Sequence, residues 1–211
     1  MEAGLVVVVN GASSSGKTSL ARALQLVAPD PWLHAGIDRF WGMMPQGWMQ
    51  LGARAGEGVS WRRGEDELGR PVVHTVPGPV ADRLAGGIHR AVAALARAGS
   101  NVVSDDVFFD RAWADDWAAA LDGIDAWLVG LHCSDDELER RERGRGDREP
   151  GEARAEAAAI HEGMPYDLEL DSSSLSAEAL AAAVLHQVAT ARPRALERLR
   201  AAAGASRDGA G

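Results

Sequence analysis

Near the N-terminus, an apolar run is followed by a turn rich in glycine and serine and then by a helical pattern. Leu5–Val9 is short, continuous and mostly β-branched, as in a parallel strand that is buried on both faces. The helical stretch runs from about Lys17 to Val27, and the breaker Pro29-Asp30-Pro31 follows it. A strand that passes into a helix through a tight turn favours folds with a parallel sheet, because parallel strands need crossover connections.

The turn itself, Gly11–Thr18, matches the phosphate-binding pattern G-x-x-x-x-G-K-[ST] in full. Its glycines let successive backbone N–H groups point at one anion, and the N-terminus of the following helix adds positive potential. An ordinary Ser/Gly turn is the alternative, but its position between a strand and a helix argues against that. Lys17 is expected to reach the β- and γ-phosphates of ATP, and the Thr18 hydroxyl to ligate Mg²⁺. The residues predicted to bind ATP here are Gly11, Ala12, Ser13, Ser14, Ser15, Gly16, Lys17, Thr18 and Ser19.

The composition is that of one soluble domain. The 211 residues are 46% hydrophobic and 25% charged, and a chain of this length can bury one sizeable core. The net charge of −9 argues against nucleic acid as the main partner, because binding to phosphate backbones needs a basic surface. With no membrane-length apolar stretch and no signal sequence, the cytoplasm is the expected compartment and no membrane partner is expected. Cys133 is the single cysteine, and its apolar neighbours predict a buried structural thiol.

The rest of the chain alternates between strand and helix patterns. Strands are predicted at Trp32–Ile37, at Val102-Val103 leading into Asp105-Asp106, at Ile124–Leu131 and at Tyr166–Leu170. Helices are predicted at Ala81–Ala98, Trp113–Leu121, Asp135–Arg143, Glu152–His161 and Ser176–Ala189. Together with the first strand, this predicts a three-layer α/β fold in which helices flank a parallel sheet of five strands.

Two segments depart from this alternation. Gln46–Pro79, within a predicted domain of residues 1–190, is long and rich in Gly and Arg, with a strand-like stretch at Val72–Val76. A connection of that length in a compact domain is usually functional or mobile. Residues 191–211 are rich in Ala and Arg and end in small residues, so this tail is expected to be largely disordered.

Acidic residues follow two of the predicted strands. Asp105 and Asp106 end the strand that begins at Val102, and in proteins with such a loop an aspartate at this place holds Mg²⁺. Capping or turn formation is the alternative for each, and the sequence does not distinguish the two carboxylates. Asp38 ends the second strand, where ligands of such folds bind. It is therefore either a base for a hydroxyl acceptor or the N-cap of the next helix.

An arginine-rich segment stands out in this acidic chain. Residues 140–148 contain five arginines and two glycines. Arginine suits forked contacts with phosphate oxygens, and phosphoryl transfer needs cations around the group that moves. The segment is predicted to form a lid, at about residues 140–151, that closes over the phosphates. A charged helix followed by a solvent loop is the alternative.

Taken in order, the short motifs resemble those of the chloramphenicol phosphotransferase family. The loop alone would indicate only that the protein binds ATP. The ordered set of motifs, from about residue 4 to 190, indicates this family. The resemblance rests on Asn10–Lys17, Pro31-Trp32-Leu33, Gly36-Ile37-Asp38, Asp105-Asp106-Val107-Phe108, Arg141–Arg148, and His161-Glu162-Gly163 with Tyr166-Asp167 and Asp171.

The resemblance implies a fold like those of shikimate and adenylate kinases, and transfer of the ATP γ-phosphate to a primary hydroxyl of the antibiotic. The residues that it implies are the general base Asp38, the nucleotide and magnesium residues Lys17 and Thr18, and the catalytic lid arginines Arg145 and Arg148, with Arg141 and Arg145 contacting ATP. His161-Glu162-Gly163 and Tyr166-Asp167 also match, and structural roles at the turn into the last strand are favoured for them.

The match weakens between Met43 and Val76, so residues 43–79 are expected to form an acceptor-binding insertion that is particular to this chain. The acceptor is expected to be a small hydroxylated molecule, an antibiotic or a metabolite, and chloramphenicol is a named candidate. A nucleotide, nucleoside or metabolite kinase of the same fold is an alternative, as is a nucleotide-binding protein without an acceptor. Kinases of this shape are often homo-oligomers. Candidates for a pocket that accepts an aromatic group, or else for the core, are Trp41, Met43, Met44, Trp48 and Met49.

Overall fold

The computed structural model describes residues 2–145, 150–157 and 159–208. In chain order its strands and helices are β1 Val6–Asn10, α1 Lys17–Val27, β2 Trp32–His34, α2 Ile37–Trp41, β3 Met49–Gln50, β4 Val59–Glu65, β5 Pro71–Pro77, α3 Pro79–Arg97, β6 Asn101–Asp106, α4 Arg111–Ala120, β7 Ala126–His132, α5 Asp135–Arg145, α6 Glu152–Ala157, β8 Leu168–Asp171, α7 Ala177–Thr190 and α8 Ala195–Asp208. Among the described helices, none combines the length and the apolar composition that crossing a membrane requires.

The main sheet has five parallel strands in the order β2-β6-β1-β7-β8. Its central strand, β1, is apolar on both faces, and its four valines are fully buried. Val6 and Val8 pack into one core with residues of α3, α4 and α8, whereas Val7 and Val9 pack into another with residues of α1 and α7. Because side chains alternate along a strand, one valine run serves both cores. The predicted three-layer α/β fold with a five-stranded parallel sheet is confirmed.

The second strand is shorter than predicted. The sequence pattern predicts a strand over Trp32–Ile37, but β2 ends at His34 and α2 follows after two residues. Gly36 caps this helix in an extended conformation, and a Cβ atom there would lie 2.0 Å from Oδ1 of Asp105. The chain therefore turns where it passes the carboxylate. Asp38 consequently lies in the first turn of a helix, neither at a strand end nor at the N-cap.

The long segment after α2 is folded into a small second sheet. β4 and β5 form an antiparallel hairpin, and β3 pairs with β4 in parallel. The strand-like stretch predicted at Val72–Val76 lies within β5. A 3₁₀ turn at Gln46–Trp48 precedes this sheet. The segment, for which the sequence predicts one strand-like stretch, thus contains three strands.

Other predicted boundaries are shifted by a few residues, as at α6 and β8. The helix predicted over Glu152–His161 is shorter, because α6 ends at Ala157. The last strand, predicted over Tyr166–Leu170, begins two residues later as β8. The residues between the two elements form turns, with a backbone hydrogen bond from Met164 to His161 and a hydrogen bond of 2.8 Å between Nδ1 of His161 and the Tyr166 hydroxyl.

The C-terminal tail contradicts the prediction that residues 191–211 are largely disordered. Most of it is α8, which packs against α4. The carboxylate of Asp167 accepts hydrogen bonds from the backbone N–H groups of Arg194 and Ala195, at 2.7 and 2.9 Å, and so fixes the start of the helix. The prediction is wrong because the few apolar residues of this Ala/Arg-rich segment are placed close together on the core side. The buried residues of the helix are Ala195, Leu196 and Leu199.

Leu199→Ala is expected to destabilise the whole domain. Leu199 is fully buried, and a buried Leu→Ala change costs about 2–5 kcal/mol through lost burial and the cavity that remains. Urea unfolding would measure the change in free energy. Leu26→Ala is the matched control, since Leu26 is 85% exposed. If both variants unfolded at the same urea concentration, α8 would not be part of the cooperative core.

Candidate functional site

The glycine-rich loop lies between β1 and α1, as predicted. Gly16, the N-cap of α1, has a φ of 98°, and the N-terminus of the helix carries no side-chain cap. This left-handed conformation suits glycine, and the uncapped N–H groups are free to receive an anion. All residues of Gly11–Thr18 are buried or half-buried, whereas Ser19 is exposed. The local geometry therefore fits the predicted phosphate-binding loop.

Lys17 is buried beneath this loop. Its Nζ donates hydrogen bonds to the carbonyl oxygens of Gly11 and Ala12, at 2.6 and 2.7 Å. Burial lowers the pKa of Lys17, and the negative charges of Glu156 and Asp105 act in the opposite direction. The amino group is thus held on backbone oxygens near carboxylates, at a place where an incoming phosphate can engage it.

A carboxylate already lies against the loop. The backbone N–H of Ser13 donates to Oε2 of Glu156 at 2.5 Å, and Glu156 is only 6% exposed. Backbone N–H groups of such a loop bind phosphate oxygens. A phosphate that uses the Ser13 N–H must therefore replace the Glu156 carboxylate.

Thr18 and Asp105 meet at the other side of the loop. The Thr18 hydroxyl donates to Oδ2 of Asp105 at 2.6 Å, and Nε2 of His34 lies 2.7 Å from Oδ1. Burial acts to raise the pKa of Asp105, but the hydrogen bonds with His34 and Thr18 outweigh it and hold the pKa below its usual range. An ionised carboxylate beside a hydroxyl offers the hard oxygen ligands that Mg²⁺ prefers. These two residues fit a magnesium ion that is otherwise held by phosphates and water.

Asp106 faces the opposite side of the sheet. Its Oδ2 accepts a hydrogen bond from the Trp117 indole at 2.8 Å, and its Oδ1 accepts one from the Val107 N–H at 2.8 Å. Burial raises the pKa of Asp106 to about 6. The structure therefore brings Asp105 to Thr18 and leaves Asp106 in the core, so the predicted metal role of Asp106 has no geometric basis.

Asp38 lies at the junction of two cavities. The first, of about 290 Å³, is also lined by Lys17, Thr18 and Asp105. The second, of about 370 Å³, is formed with the small sheet. Asp38, Trp41 and Glu152 line both. We call these the nucleotide cleft and the acceptor cavity. A carboxylate at the junction can face a ligand in each.

The acceptor cavity contains some of the candidate aromatic and sulfur residues, but not all of them. Trp41, Met44 and Met49 line it, which is the first of the two placements considered for them, and Trp61 of β4 joins them. Met43 is 72% exposed, and Trp48 instead packs against the Arg54 guanidinium, 3.8 Å from the ring centroid. The cavity thus has an apolar and aromatic wall, which suits a ring-bearing ligand.

Arg141 projects from α5 onto the loop. Its guanidinium donates to the backbone oxygens of Ser15 at 3.1 Å and Ser172 at 2.7 Å, and it pairs with Glu137 at 2.7 Å. It lines the nucleotide cleft, as its predicted contact with ATP requires. The predicted lid arginines are not placed here, because Arg148 and the side chain of Arg145 lie outside the described residues.

Three residues of the motif after α6, namely His161, Tyr166 and Asp167, make contacts that fit the structural role favoured for it. The Tyr166 hydroxyl bonds both to His161 and, at 2.7 Å, to Nδ2 of Asn10, which ends β1. Asp167 accepts from the Leu128 N–H at 3.0 Å as well as from the start of α8. These bonds connect the last strand to the rest of the sheet. Cys133 is half-buried, so its predicted burial is only partial.

Sequence reasoning missed three residues of the site, namely His34, Glu152 and Glu156. His34 reaches Asp105 across 71 residues of sequence, and Glu156 reaches Ser13 across 143. Glu152 and Glu156 lie on a short helix whose alternation of Glu, Ala and Arg is typical of a solvated surface. No local signal distinguishes them, since only the tertiary fold buries them.

Glu156→Gln is expected to tighten ATP binding by about tenfold or less, because it removes a negative charge from the phosphate site but keeps an oxygen that can accept from Ser13. Equilibrium titration with ATP measures the change. Glu162→Gln, at an exposed glutamate, is the control and should leave the affinity unchanged. Weaker binding in Glu156→Gln would instead mean that the carboxylate supports the loop in its binding shape.

Comparison with known proteins gives matches along nearly the whole chain. The family model described as chloramphenicol phosphotransferase-like protein matches residues 4–189. A protein named "Putative O-phosphotransferase", from two strains of Mycobacterium tuberculosis, is 39% identical over 202 residues, which is 95% of this chain and 89% of the relative.

Solved structures of kinases share the fold. The Mycobacterium tuberculosis APS kinase in complex with AMPPNP and APS has a TM-score of 0.59 and 19% identity, over 90% of this chain and 100% of that chain. The Acinetobacter baumannii shikimate kinase in complex with shikimate has a TM-score of 0.55 and 13% identity, over 89% of this chain and 94% of that chain. The fold is that of the P-loop kinases, and the chain belongs to the chloramphenicol phosphotransferase-like family.

Proposed function

We propose that this protein transfers the γ-phosphate of ATP to a hydroxyl of a small molecule. The observation that carries the proposal is the position of Asp38, which lines both the nucleotide cleft and the acceptor cavity. A phosphate-binding loop alone would serve any nucleotide-binding protein. A carboxylate between that loop and a second cavity suits transfer to an alcohol, because the hydroxyl needs an acceptor for its proton.

In the proposed reaction, the acceptor hydroxyl donates a hydrogen bond to the Asp38 carboxylate, and its oxygen attacks the γ-phosphorus of ATP in line. The new P–O bond forms as the bond from the γ-phosphorus to the β–γ bridging oxygen breaks. The proton passes to Asp38, and ADP and the phosphate ester are released. Positioning of the two substrates supplies much of the acceleration in such reactions.

The cations of the cleft stabilise the charge on the phosphates. Lys17 exchanges the carbonyl oxygens of Gly11 and Ala12 for phosphate oxygens, and Arg141 lies beside the loop. Thr18 and Asp105 are the residues that we expect to hold Mg²⁺, which when bound supplies positive charge to the β- and γ-phosphates. Arg145 and Arg148 remain predicted lid residues in this proposal.

The acceptor in this proposal is an antibiotic of the chloramphenicol type, so the reaction would inactivate a toxic compound. Family membership supports this choice, as does the aromatic and methionine-rich wall of the acceptor cavity. Asp38 is a side chain that a primary hydroxyl could reach from this cavity.

The test is transfer of phosphate from labelled ATP to a panel of alcohols. The panel contains chloramphenicol and other hydroxylated antibiotics, nucleosides, and small metabolic alcohols, and the product is read by mass spectrometry. We expect an antibiotic to gain one phosphoryl group while nucleosides do not. Preferential phosphorylation of a nucleoside or metabolic alcohol would replace the antibiotic assignment. If the protein hydrolysed ATP but phosphorylated no alcohol of the panel, the proposal that it transfers phosphate would be wrong.

A further inference from the structure

His34 contacts one oxygen of the Asp105 carboxylate, and Thr18 contacts the other. Nε2 of His34 lies 2.7 Å from Oδ1 of Asp105, and the Thr18 hydroxyl donates to Oδ2 at 2.6 Å. The side chains of His34 and Asp105 are only 4% and 9% exposed, so little water competes for the bond between them. The carboxylate is thus held from two sides, by β2 and by the first turn of α1.

The direction of the bond between His34 and Asp105 follows from the other nitrogen of the imidazole. Nη2 of Arg39 lies 3.4 Å from Nδ1 of His34, and a guanidinium can only donate. Nδ1 therefore accepts, which places the proton of a neutral imidazole on Nε2. An ionised carboxylate can only accept, so Nε2 donates to Oδ1 of Asp105.

The chain around His34 leaves this imidazole little freedom to move. The N–H of the next residue, Ala35, donates to the Val103 carbonyl oxygen of β6 at 2.9 Å. A Cβ atom on Gly36 would lie 2.0 Å from Oδ1 of Asp105 and 3.2 Å from Nε2 of His34. The absence of a side chain on Gly36 therefore makes room for the bond, and the backbone keeps the two groups together.

The bond from His34 can persist when a nucleotide binds. The Thr18 hydroxyl is expected to turn its oxygen to Mg²⁺, which changes its own bond with Oδ2 of Asp105. His34 bonds the other oxygen and lies on a different element, so its bond does not depend on that change. Hydrogen-bonded partners of this kind orient the side chains that ligate metals.

We propose that His34 is a positioning residue of the magnesium site, which holds Asp105 in the orientation that the metal requires. Without this bond, part of the free energy of metal binding would be spent on ordering the carboxylate. The inference rests on the proposed function, because it assumes that ATP binds with Mg²⁺ beside Thr18 and Asp105. It assigns a task to an imidazole that does not itself contact the nucleotide.

The test is the affinity for a non-hydrolysable ATP analogue, measured by calorimetry with excess Mg²⁺ and again with excess EDTA. The ratio of the two affinities isolates the contribution of the metal, and no turnover is involved. We expect Mg²⁺ to tighten binding to the native protein. His34→Leu removes the N–H but has a similar volume, and it should reduce the ratio by about tenfold or more, the usual effect of losing such a partner.

Two further variants separate positioning from packing. In His34→Gln the amide nitrogen can take the place of Nε2 and donate to Asp105, so this variant should restore most of the ratio. His132→Leu is the matched control, because it removes another histidine–carboxylate pair, formed with Glu169 at 2.8 Å between β7 and β8. It should leave the ratio unchanged. Thermal unfolding checks that each variant is folded.

NMR of the native protein, labelled with ¹⁵N at its histidines, adds a spectroscopic measurement. We expect His34 to carry a proton on Nε2 both in the free protein and with the analogue and Mg²⁺ bound. The signals of His34 are assigned by their absence from the spectrum of His34→Gln. This measurement decides the inference even if His34→Leu does not fold.

The inference would be overturned if Nε2 of His34 had no proton in the magnesium-bound state, or if Mg²⁺ did not tighten binding to the native protein. A ratio that His34→Leu left unchanged would overturn it too. So would an equal loss in His34→Gln or in His132→Leu, because the effect would then not come from the N–H group. The proposed function would survive these results if labelled ATP still phosphorylated an alcohol of the acceptor panel, so the two failures are distinguishable.

Discussion

Asp38→Asn is expected to reduce phosphate transfer by a factor on the order of 10²–10⁴, the usual contribution of a positioned base. Asparagine has nearly the same shape but cannot take the hydroxyl proton. ATP affinity should change far less than transfer, because the phosphates are expected to be held by the backbone N–H groups of the loop and by Lys17. Steady-state transfer to the acceptor gives kcat/KM, and equilibrium titration gives the affinity for ATP.

The control for this change is Asp30→Asn, at an exposed aspartate before β2. It should leave both transfer and ATP affinity unaltered. Full turnover in Asp38→Asn would remove Asp38 from its proposed role. A parallel loss of transfer and of ATP binding would place Asp38 in nucleotide binding instead. The combination of lost transfer and retained binding is thus the specific signature of a base between two cavities.

The features that the sequence predicted well are local ones. The phosphate-binding loop consists of consecutive residues, and the valine run before it and the helix after it are recognisable from their own periodicity. Helix α1 even has its predicted bounds, Lys17–Val27. The sequence predicts that Asp38 lies near the loop, because Asp38 follows a predicted strand. Its actual place in a helix depends on Gly36 passing close to Asp105, a contact between distant parts of the chain.

Other features depend on which face of an element is turned toward the site. Asp105 and Asp106 are adjacent in β6, so strand geometry requires them to point to opposite sides. Knowing which of them meets Thr18 requires knowing the side on which α1 packs. The same limit applies to Leu196 and Leu199 in α8. The sequence predicts that this segment is disordered, because it does not show that α4 provides an apolar surface on which these leucines are buried. The composition of a segment can be read from the segment alone, whereas the burial of its side chains depends on the elements that pack against it.

Lys17→Ala is expected to lose both ATP binding and transfer, each by a factor on the order of 10² or more, the scale for deleting a preorganised charge contact. The change removes the buried cation of the loop and leaves Glu156 and Asp105, whose charges act on it, without that cation. Binding is measured by titration and transfer by labelled phosphate. Thermal unfolding of the variant checks that its fold is retained.

A second measurement uses the fact that Lys17 is the only lysine of the chain. An amine-reactive reagent can modify the protein only there and at the N-terminal amine, and because burial lowers the pKa of Lys17, more of its amine is neutral and nucleophilic. We expect ATP to protect Lys17 in the native protein, as seen in the mass of its peptide. Arg22→Ala, at an exposed residue of the same helix, should bind ATP normally. The nucleotide would bind elsewhere if saturating ATP did not slow the modification of Lys17. The same conclusion would follow if Lys17→Ala bound ATP with normal affinity.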